Sequence, residues 1–342
     1  TTRQDWSSVL ANPLRHNSVA FPYSSASLSF LGSEFFKLPE VFDLAKLRLS
    51  VSQTGSSGTV PYRTSYTYQP AANGTYPDGS LENPATLPNP DLKPLKTTTY
   101  ELGADIRMLQ NRVGVDFTVY TGNTKNQILD RIVDRSTGFT RQVINAGRID
   151  NSGVEVALNG TPVKTRDFKW KTFMTFSTNK NKIVSMANND TTIILRSSAV
   201  GGAQIVAKVG GSLGDMYGTG FQRSPEGEVI YDANSGLALL STTPVYLGNT
   251  IPKYKASVGS EFSFKQFRLN VLFDGQQGAV AHSYTHGRLA DFGKLTATLP
   301  GRYSGIVGHG VVQNADGSFS PNTKITTDIT SFYNYTMGTA NG

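Results

Sequence analysis

The chain has 342 residues, 38% of them hydrophobic, with 34 Gly, 16 Pro, no Cys and a formal net charge of +7. No run approaches the roughly 20 apolar residues of a membrane-spanning helix, which excludes a helical membrane protein, and the lack of Cys excludes disulfides and thiolate metal sites. The basic residues are dispersed, many at polar alternates of strand-like runs (Lys46, Arg48, Arg107, Lys169, Lys171, Arg268), so the charge reads as solvated turns and a polar inner surface, not nucleic-acid binding.

In chain order, Thr1–Pro22 carries no start signal and no cationic-then-apolar leader, so no signal peptide is expected there. Ala20–Leu31 sets Ala26, Leu28 and Phe30 against Ser25, Ser27 and Ser29, the period of two of a strand. Gly32–Asp43 reads as a connection with one helical turn. Leu44–Gln53 alternates Ala45, Leu47, Leu49 and Val51 with Lys46, Arg48, Ser50 and Ser52. Thr54–Lys96 is irregular and rich in Gly, Ser, Pro, Asn and Tyr, including Tyr62, Tyr66, Tyr68 and Tyr76. A loop this long is uncommon in a compact soluble domain but usual on the outer side of a membrane barrel.

The stretch after it organises the chain. Tyr100, Leu102, Ala104, Ile106 and Met108 share one face, with Glu101, Gly103, Asp105 and Arg107 opposite. Leu109–Arg112 reverses the chain, and Val113, Val115, Phe117 and Val119 return on one face. At about 3.3 Å per residue Thr98–Leu109 spans roughly 40 Å, or roughly 28 Å of height at a tilt near 45°, the span of an outer-membrane apolar band. A long hairpin of a soluble sandwich fits the pattern alone equally well.

Gln127–Asp134 has mixed polarity on both faces, as expected of a strand leaving a membrane. Gln142–Leu158 returns with Val154, Val156 and Leu158 on one face, and Gly153 marks a bulge or a close approach. After a turn at Asn159–Asp167, Phe168–Ser177 aligns Phe168, Trp170, Thr172, Met174 and Phe176. Lys180–Thr250 is a second excursion. Its Gly210–Gly218 run is no phosphate loop, since no Gly-Lys-Ser/Thr closes it, and Pro225–Gly236 reads as a small surface hairpin. Lys253–Gly275 repeats the long hairpin: Tyr254, Ala256, Val258, Phe262 and Phe264, a turn at Lys265–Gln266, then Phe267, Leu269, Val271 and Phe273. Beyond it the alternation stops.

The expected fold class is all-β: an antiparallel transmembrane β-barrel portion of about eight to ten long strands with long extracellular loops. A mean hydropathy of −0.27 agrees, because only alternate residues meet lipid. The expected lipid-facing set is Leu102, Ile106, Val115, Phe117, Val154, Val156, Val258, Phe262, Leu269 and Val271, with Trp170 and Tyr254 in an interfacial aromatic girdle. Catalysis finds little support: four His are scattered, and no nucleophile elbow or paired carboxylates stand out. His282 and His286 suit a metal pair only if helical, with no third ligand nearby, and Asp232/Asn234 lack calcium-loop spacing. No cofactor, metal or catalytic residue is therefore expected.

A family resemblance sharpens this. Asn89-Pro-Asp-Leu-Lys-Pro94 followed by Thr97-Thr-Thr-Tyr-Glu-Leu-Gly103 resembles a signature of TonB-dependent transporters, with Leu95 where that family usually has Glu. Asn123-Thr-Lys-Asn-Gln-Ile128, Ile144-Asn-Ala-Gly147, Asn151-Ser-Gly-Val-Glu155, Gly214-Asp-Met-Tyr-Gly218 and Leu247-Gly-Asn-Thr-Ile-Pro-Lys-Tyr254 resemble its SusC/RagA branch in order. The resemblance implies a barrel of about 22 strands with an N-terminal plug and a TonB-contacting segment, importing glycans or peptides across the outer membrane of a Gram-negative, Bacteroidetes-like bacterium. It also implies a SusD-like surface lipoprotein as partner and contact with the TonB complex. Residues 1–342 match only barrel motifs, so a partial barrel domain without plug is expected. Tyr66, Tyr68, Tyr217 and Phe221 are candidate substrate contacts. The rival reading is a soluble secreted carbohydrate-binding β-sandwich, with strands of about five or six residues and a buried apolar face.

Overall fold

The computed structural model describes the chain except for residues 13–16, 59, 72–76, 78, 188–189, 199–201 and 339–342, and describes backbone only at 6, 8–9, 11–12 and 17–19. Tyr76 lies outside the described residues. The chain forms two compact units: a larger one from Thr1–Ile193, Ala207–Leu213 and Ile251–Ala279, and a smaller one from Ile194–Val206, Gly214–Thr250 and Val280–Gly342.

The larger unit is built on one antiparallel sheet. Its long strands, in chain order and in sheet order alike, are β1 (Thr2–Asn12), β2 (Asn17–Leu31), β3 (Phe42–Ser56), β4 (Leu95–Met108), β5 (Val113–Ile132), β6 (Arg141–Lys164), β7 (Phe168–Ser185), β8 (Tyr254–Phe264) and β9 (Phe267–Gln277). A short strand, Thr86–Leu87, runs parallel to the start of β6. The alternation marked most of these strands, but pairing extends them beyond it. β5 runs unbroken through Ile132, and β6 continues past the expected turn to Lys164. β1 was not expected: Thr2–Asn12 has little alternation, and its register with β2 makes it a strand. Lengths of 11 to 24 residues exceed the five or six of a sandwich strand.

Short reversals gather at one end of the sheet. Between β4 and β5, Leu109, Gln110 and Asn111 all lie in the left-handed region (φ 57 to 59°), which costs side-chain-bearing residues free energy. The turn is held by backbone bonds, Leu109 N–H to the Val41 carbonyl (2.9 Å) and Arg112 N–H to the Leu109 carbonyl (3.2 Å), and by Asn111 N–H donating to Asp43 Oδ2 (2.8 Å). Lys265 (φ 50°) turns β8 into β9, and the one-turn helix Gly32–Phe35 opens the link from β2 to β3. The long connections, 57–94 and 186–253, leave from the opposite end.

The smaller unit holds what the alternation did not foresee. Tyr231, Ala238, Phe332 and Tyr333 form a buried cluster, with Phe221, Val229, Leu237, Ile306, Val312 and Ile329 packed against it. The Pro225–Gly236 segment does double back, with an Arg223–Val229 bridge, yet it is no mere surface hairpin. Ile230–Tyr231 pairs in parallel with Val311–Gln313, and both Ile230 and Tyr231 are buried. A helix, Ile329–Met337, supplies Phe332 and Tyr333 to that cluster. Its N-cap is Asp328, whose Oδ1 accepts the Ser331 N–H at 3.0 Å. Ser331, through its hydroxyl and then its N–H, holds the Asp328 carboxyl below its ordinary 3.8.

A carboxyl lowered by folding stabilises above its unfolded pKa and loses that contribution as pH falls through its folded value. Asp328→Ala should therefore cost about 0.5–2 kcal/mol at neutral pH, with the difference from wild type narrowing below pH 3.8. Thermal unfolding followed by near-UV dichroism at stepped pH checks this; a difference that grows on acidification contradicts the assignment.

Candidate functional site

The sheet of the larger unit has two chemically distinct faces, and register makes each continuous. On one face, Phe30, Leu47, Ala104, Phe117, Val156, Phe176, Ala256 and Gly275 are successive cross-strand partners from β2 to β9. The next row is Ala45, Ile106, Val115, Leu158, Met174, Val258 and Phe273. A third runs Leu28, Leu49, Leu102, Val119 and Val154. No charged residue interrupts these rows. Their side chains are not packed away: Leu28 is 67% exposed, Leu49 51% and Phe273 73%. A sandwich would bury this face.

All ten residues expected on the apolar face share it. Phe262 and Leu269 are partners beside Trp170, and Val271 is opposite Ser260. Trp170 stacks on Phe262 with ring centroids 5.7 Å apart, near the short turns. Tyr254 lies at the other end, 5.7 Å from the Phe176 ring, and its hydroxyl bonds Gln277. The two residues expected in an aromatic girdle thus bracket the apolar face. From Phe168 to Phe176 that face measures about 26 Å along β7 at about 3.3 Å per residue.

The opposite face is polar and lines a concavity of about 590 Å³ that includes Lys46, Arg48, Glu101, Thr118, Tyr120 and Glu155. Lys46, Asp105 and Asp116 are cross-strand partners, and Arg48 crosses diagonally from β3 to pair with Asp116 on β5 at 2.7 Å. It passes over Gly103 of the intervening β4, where a Cβ would lie 3.0 Å from Arg48 Nη2 and 3.2 Å from Thr118 Oγ1. Glycine leaves the space that lets the guanidinium reach two strands away. Tyr120 repeats the device on β5: it lies over Gly153 of β6 and its hydroxyl donates to Asn179 Oδ1 on β7 at 3.3 Å. Gly153 thus marks a close approach rather than a bulge. Farther along, Glu261 sits between Lys171 (3.6 Å) and Arg268 (3.9 Å). Sequence reading put Gly103 and Gly153 on the polar face but missed the side chains spanning them, because that reach depends on register.

The loop aromatics do not form one group. Tyr66 packs edge-on against Tyr68 (5.4 Å) and Phe139 (6.2 Å), and its hydroxyl donates to Asn83 Oδ1 at 2.6 Å. Tyr217 and Phe221 belong to the smaller unit, Tyr217 edge-on to Tyr246 at 5.5 Å and Phe221 packed on the buried cluster. Asp232 Oδ1 accepts the Asn234 and Ser235 N–H groups and the Ser235 hydroxyl, closing its own turn. His286 lies in the helix Tyr284–Asp291 but His282 precedes the cap Ser283, so the pair does not share a helical face. Among the described residues, no group of three or more His, Asp or Glu could hold a metal ion.

A model of the TonB-dependent receptor-like β-barrel family matches residues 2–339. The chain belongs to that family. Two relatives are TonB-dependent receptor P26 of Formosa agariphila, 28% identical over 81% of this chain, and TonB-dependent receptor SusC of Bacteroides thetaiotaomicron, 27% identical over 56%. The chain covers 30% of the former and 19% of the latter, so it spans under a third of either relative's length. Among solved structures, the RagAB peptide transporter matches 80% of this chain and 30% of its own, with a TM-score of 0.64 at 18% identity. That likeness shows the fold, and with the family match it makes this chain TonB-dependent receptor barrel wall. No helix among the described residues is long and apolar enough to cross a membrane, which says nothing of crossing by strands.

The spanning contacts on the polar face are testable in this barrel wall. Gly153→Val would drive a side chain into the Thr178 carbonyl and the Tyr120 ring and should cost about 1–3 kcal/mol. Gly275→Ala meets nothing within 4 Å and should stay within about 0.5 kcal/mol. Denaturant unfolding in detergent micelles compares the two; equal effects would remove the case for close packing over Gly153. Arg48 and Asp116 are 40% and 41% exposed, so a double-mutant cycle with Arg48→Gln and Asp116→Asn should return a coupling of only about 0.2–1 kcal/mol.

Proposed function

We propose that this chain is one arc of the wall of a TonB-dependent outer-membrane importer for glycans or peptides, working with a SusD-like surface lipoprotein. The observation that carries the reading is the two-faced ladder: three uncharged rows exposed on one side and a hydrogen-bonded polar concavity on the other. In water the exposed rows would be a liability; against lipid they are the low-energy arrangement, and the polar side then lines an aqueous lumen. Leu102, Ile106, Val115, Phe117, Val154, Val156, Val258, Phe262, Leu269 and Val271 face acyl chains in this reading, with Trp170 and Tyr254 at the two interfaces. Short turns face the periplasm and long connections the exterior.

Among the described residues, β1 and β9 each have only one neighbour in the sheet. In hydrocarbon an unpaired strand edge leaves polar backbone groups unsatisfied at several kcal/mol apiece. Strands from the rest of the longer polypeptide therefore close the barrel, and TonB coupling resides with its plug and TonB-contacting segment. Residues 1–342 supply partial barrel wall and do not transport alone. The relatives named SusC and the RagAB peptide transporter support the substrate classes and the lipoprotein partner. Tyr66 and Tyr68, exposed on the connection before β4, are the better placed substrate contacts. Tyr217 is a further candidate, and Phe221 is mainly structural. The role is transport, with no cofactor and no catalytic residue assigned.

Ile106→Arg in the full-length protein should impair membrane assembly by about 2–4 kcal/mol if Ile106 meets mid-bilayer lipid. Heat-modifiable electrophoretic mobility of outer-membrane fractions reads this out, and unchanged insertion and stability contradict the placement. For the transport role, deletion of the full-length gene should abolish uptake of one oligosaccharide or oligopeptide class, restored by the wild-type gene. Undiminished uptake across both classes would refute the importer assignment.

A further inference from the structure

We propose that Met216, His282, His286 and Met337 form a binding site for a soft monovalent metal ion, Cu(I). The proposal goes beyond the importer reading and does not rest on it. The four side chains come from three separate segments of the smaller unit and line one cavity of about 400 Å³. The chain has five Met and four His in all, so two of each at one cavity is a concentration that apolar packing does not call for.

Backbone pairing brings the segments together. Met216, in the strand Asp215–Gly218, is the cross-strand partner of Gly248 in the strand Val245–Asn249. The third segment runs beside that strand: Val280 N–H donates to the Asn249 carbonyl at 2.8 Å, and a Cβ on Gly248 would come within 2.7 Å of Val280 Cγ1. His282 follows two residues later, and His286 lies in the first turn of the helix Tyr284–Asp291. The two histidines do not share a helical face, yet both line the cavity. The end of the helix Ile329–Met337 completes it. Asn334 Nδ2 donates to Asp291 Oδ1 at 2.7 Å, and Gly287 and Gly338 leave the wall open beside Met337. Met216 is buried, Met337 and His282 are half-buried and His286 is exposed, which gives an ion entry from the imidazole side.

Donor chemistry selects the ion. Thioethers are soft ligands that favour Cu(I), whereas imidazole also suits zinc, nickel and iron. Copper is the metal that both donor types take. Among the described residues no carboxylate lines the cavity, so nothing there suits a hard dication such as Ca²⁺ or Mg²⁺. Among the described residues, too, neither ring has a hydrogen-bond or ion-pair partner; His286 uses only its backbone N–H, which donates to Ser283 Oγ at 3.2 Å. The imidazoles are thus uncommitted, and the three rotatable bonds of Met let each sulfur swing toward a shared ion. Sequence reading found no third ligand for His282 and His286 because the two thioethers lie far away along the chain. A bound ion would tie the strand Asp215–Gly218, the cap of one helix and the end of the other together.

The test uses the full-length polypeptide, purified in detergent, with Cu(I) kept reduced by ascorbate and with Zn(II) for comparison. Competition against bathocuproine disulfonate should show wild type holding one more Cu(I) than the variant H282Q/H286Q. That double variant and, separately, Met337→Leu should each weaken this ion at least about tenfold. Met337→Leu removes the sulfur while nearly conserving volume, so a loss of Cu(I) there with unchanged near-UV dichroism is a loss of a ligand. X-ray absorption at the copper edge should show nitrogen and sulfur neighbours in wild type and fewer sulfurs in Met337→Leu. Zn(II) should bind wild type at least about tenfold more weakly than Cu(I) does. Unchanged Cu(I) affinity in either variant, copper without sulfur neighbours, or Zn(II) held as tightly as Cu(I) overturns the proposal. None of these outcomes bears on the importer reading, which stands or falls on membrane insertion and uptake.

Discussion

Backbone pairing between neighbouring antiparallel strands fixes the register of this sheet, and register decides everything chemical about it. Side chains alternate between faces with a period of two, so a slip of one residue on any strand would carry its apolar set to the polar side. From β2 to β9 the pairing keeps Phe30, Phe117, Val156 and Phe176 in one row, and Ala45, Ile106, Val115 and Val258 in the next. Fixed in this way, one face presents three uncharged rows and the other carries Lys46, Arg48, Glu101, Asp105, Asp116 and Glu155.

The polar face is more than a residue left over from that sorting. Arg48 reaches Asp116, and Tyr120 reaches Asn179, each across a glycine on the strand between. These contacts tie strands that share no backbone bond, so the wall is braced over three strands at a time. The exposed Arg48–Asp116 pair adds little stability on its own. Its value is geometric: it holds two flexible side chains against the polar face over Gly103.

Much of this was legible in the sequence. The alternation in Leu44–Gln53, Thr98–Leu109, Phe168–Ser177 and Lys253–Gly275 placed strands and faces correctly, because a half-buried strand writes its environment into every second residue. The Asn89–Gly103 motif then distinguished a barrel from a sandwich, which pattern alone could not. Strand ends were less legible: the outer parts of β5 and β6 follow the readings of Gln127–Asp134 and Gln142–Leu158 closely, but β6 runs on to Lys164 where a turn was expected. β1 was missed because Thr2–Asn12 has little alternation. The smaller unit was illegible because its core joins residues far apart in sequence, Tyr231 and Ala238 with Phe332 and Tyr333, through short strands and a helix that carry no long period. The side chains lying over Gly103 and Gly153 depend on which residue faces which, and a single sequence does not state that.

The prolongation of β5 and β6 has a consequence for how such a surface can change. Gln127–Ile132 remains paired with Arg141–Ala146 well past the last aliphatic row, and Val143, Ile144 and Ala146 are buried there. The ribbon is therefore a stiff mount: its height and direction are set by ladder bonds and packing, independently of the residues at its tip, 133–140. Insertions or substitutions at that tip alter what is displayed to the surroundings without disturbing the register below. A sheet whose register must stay constant can in this way carry an edge free to diversify.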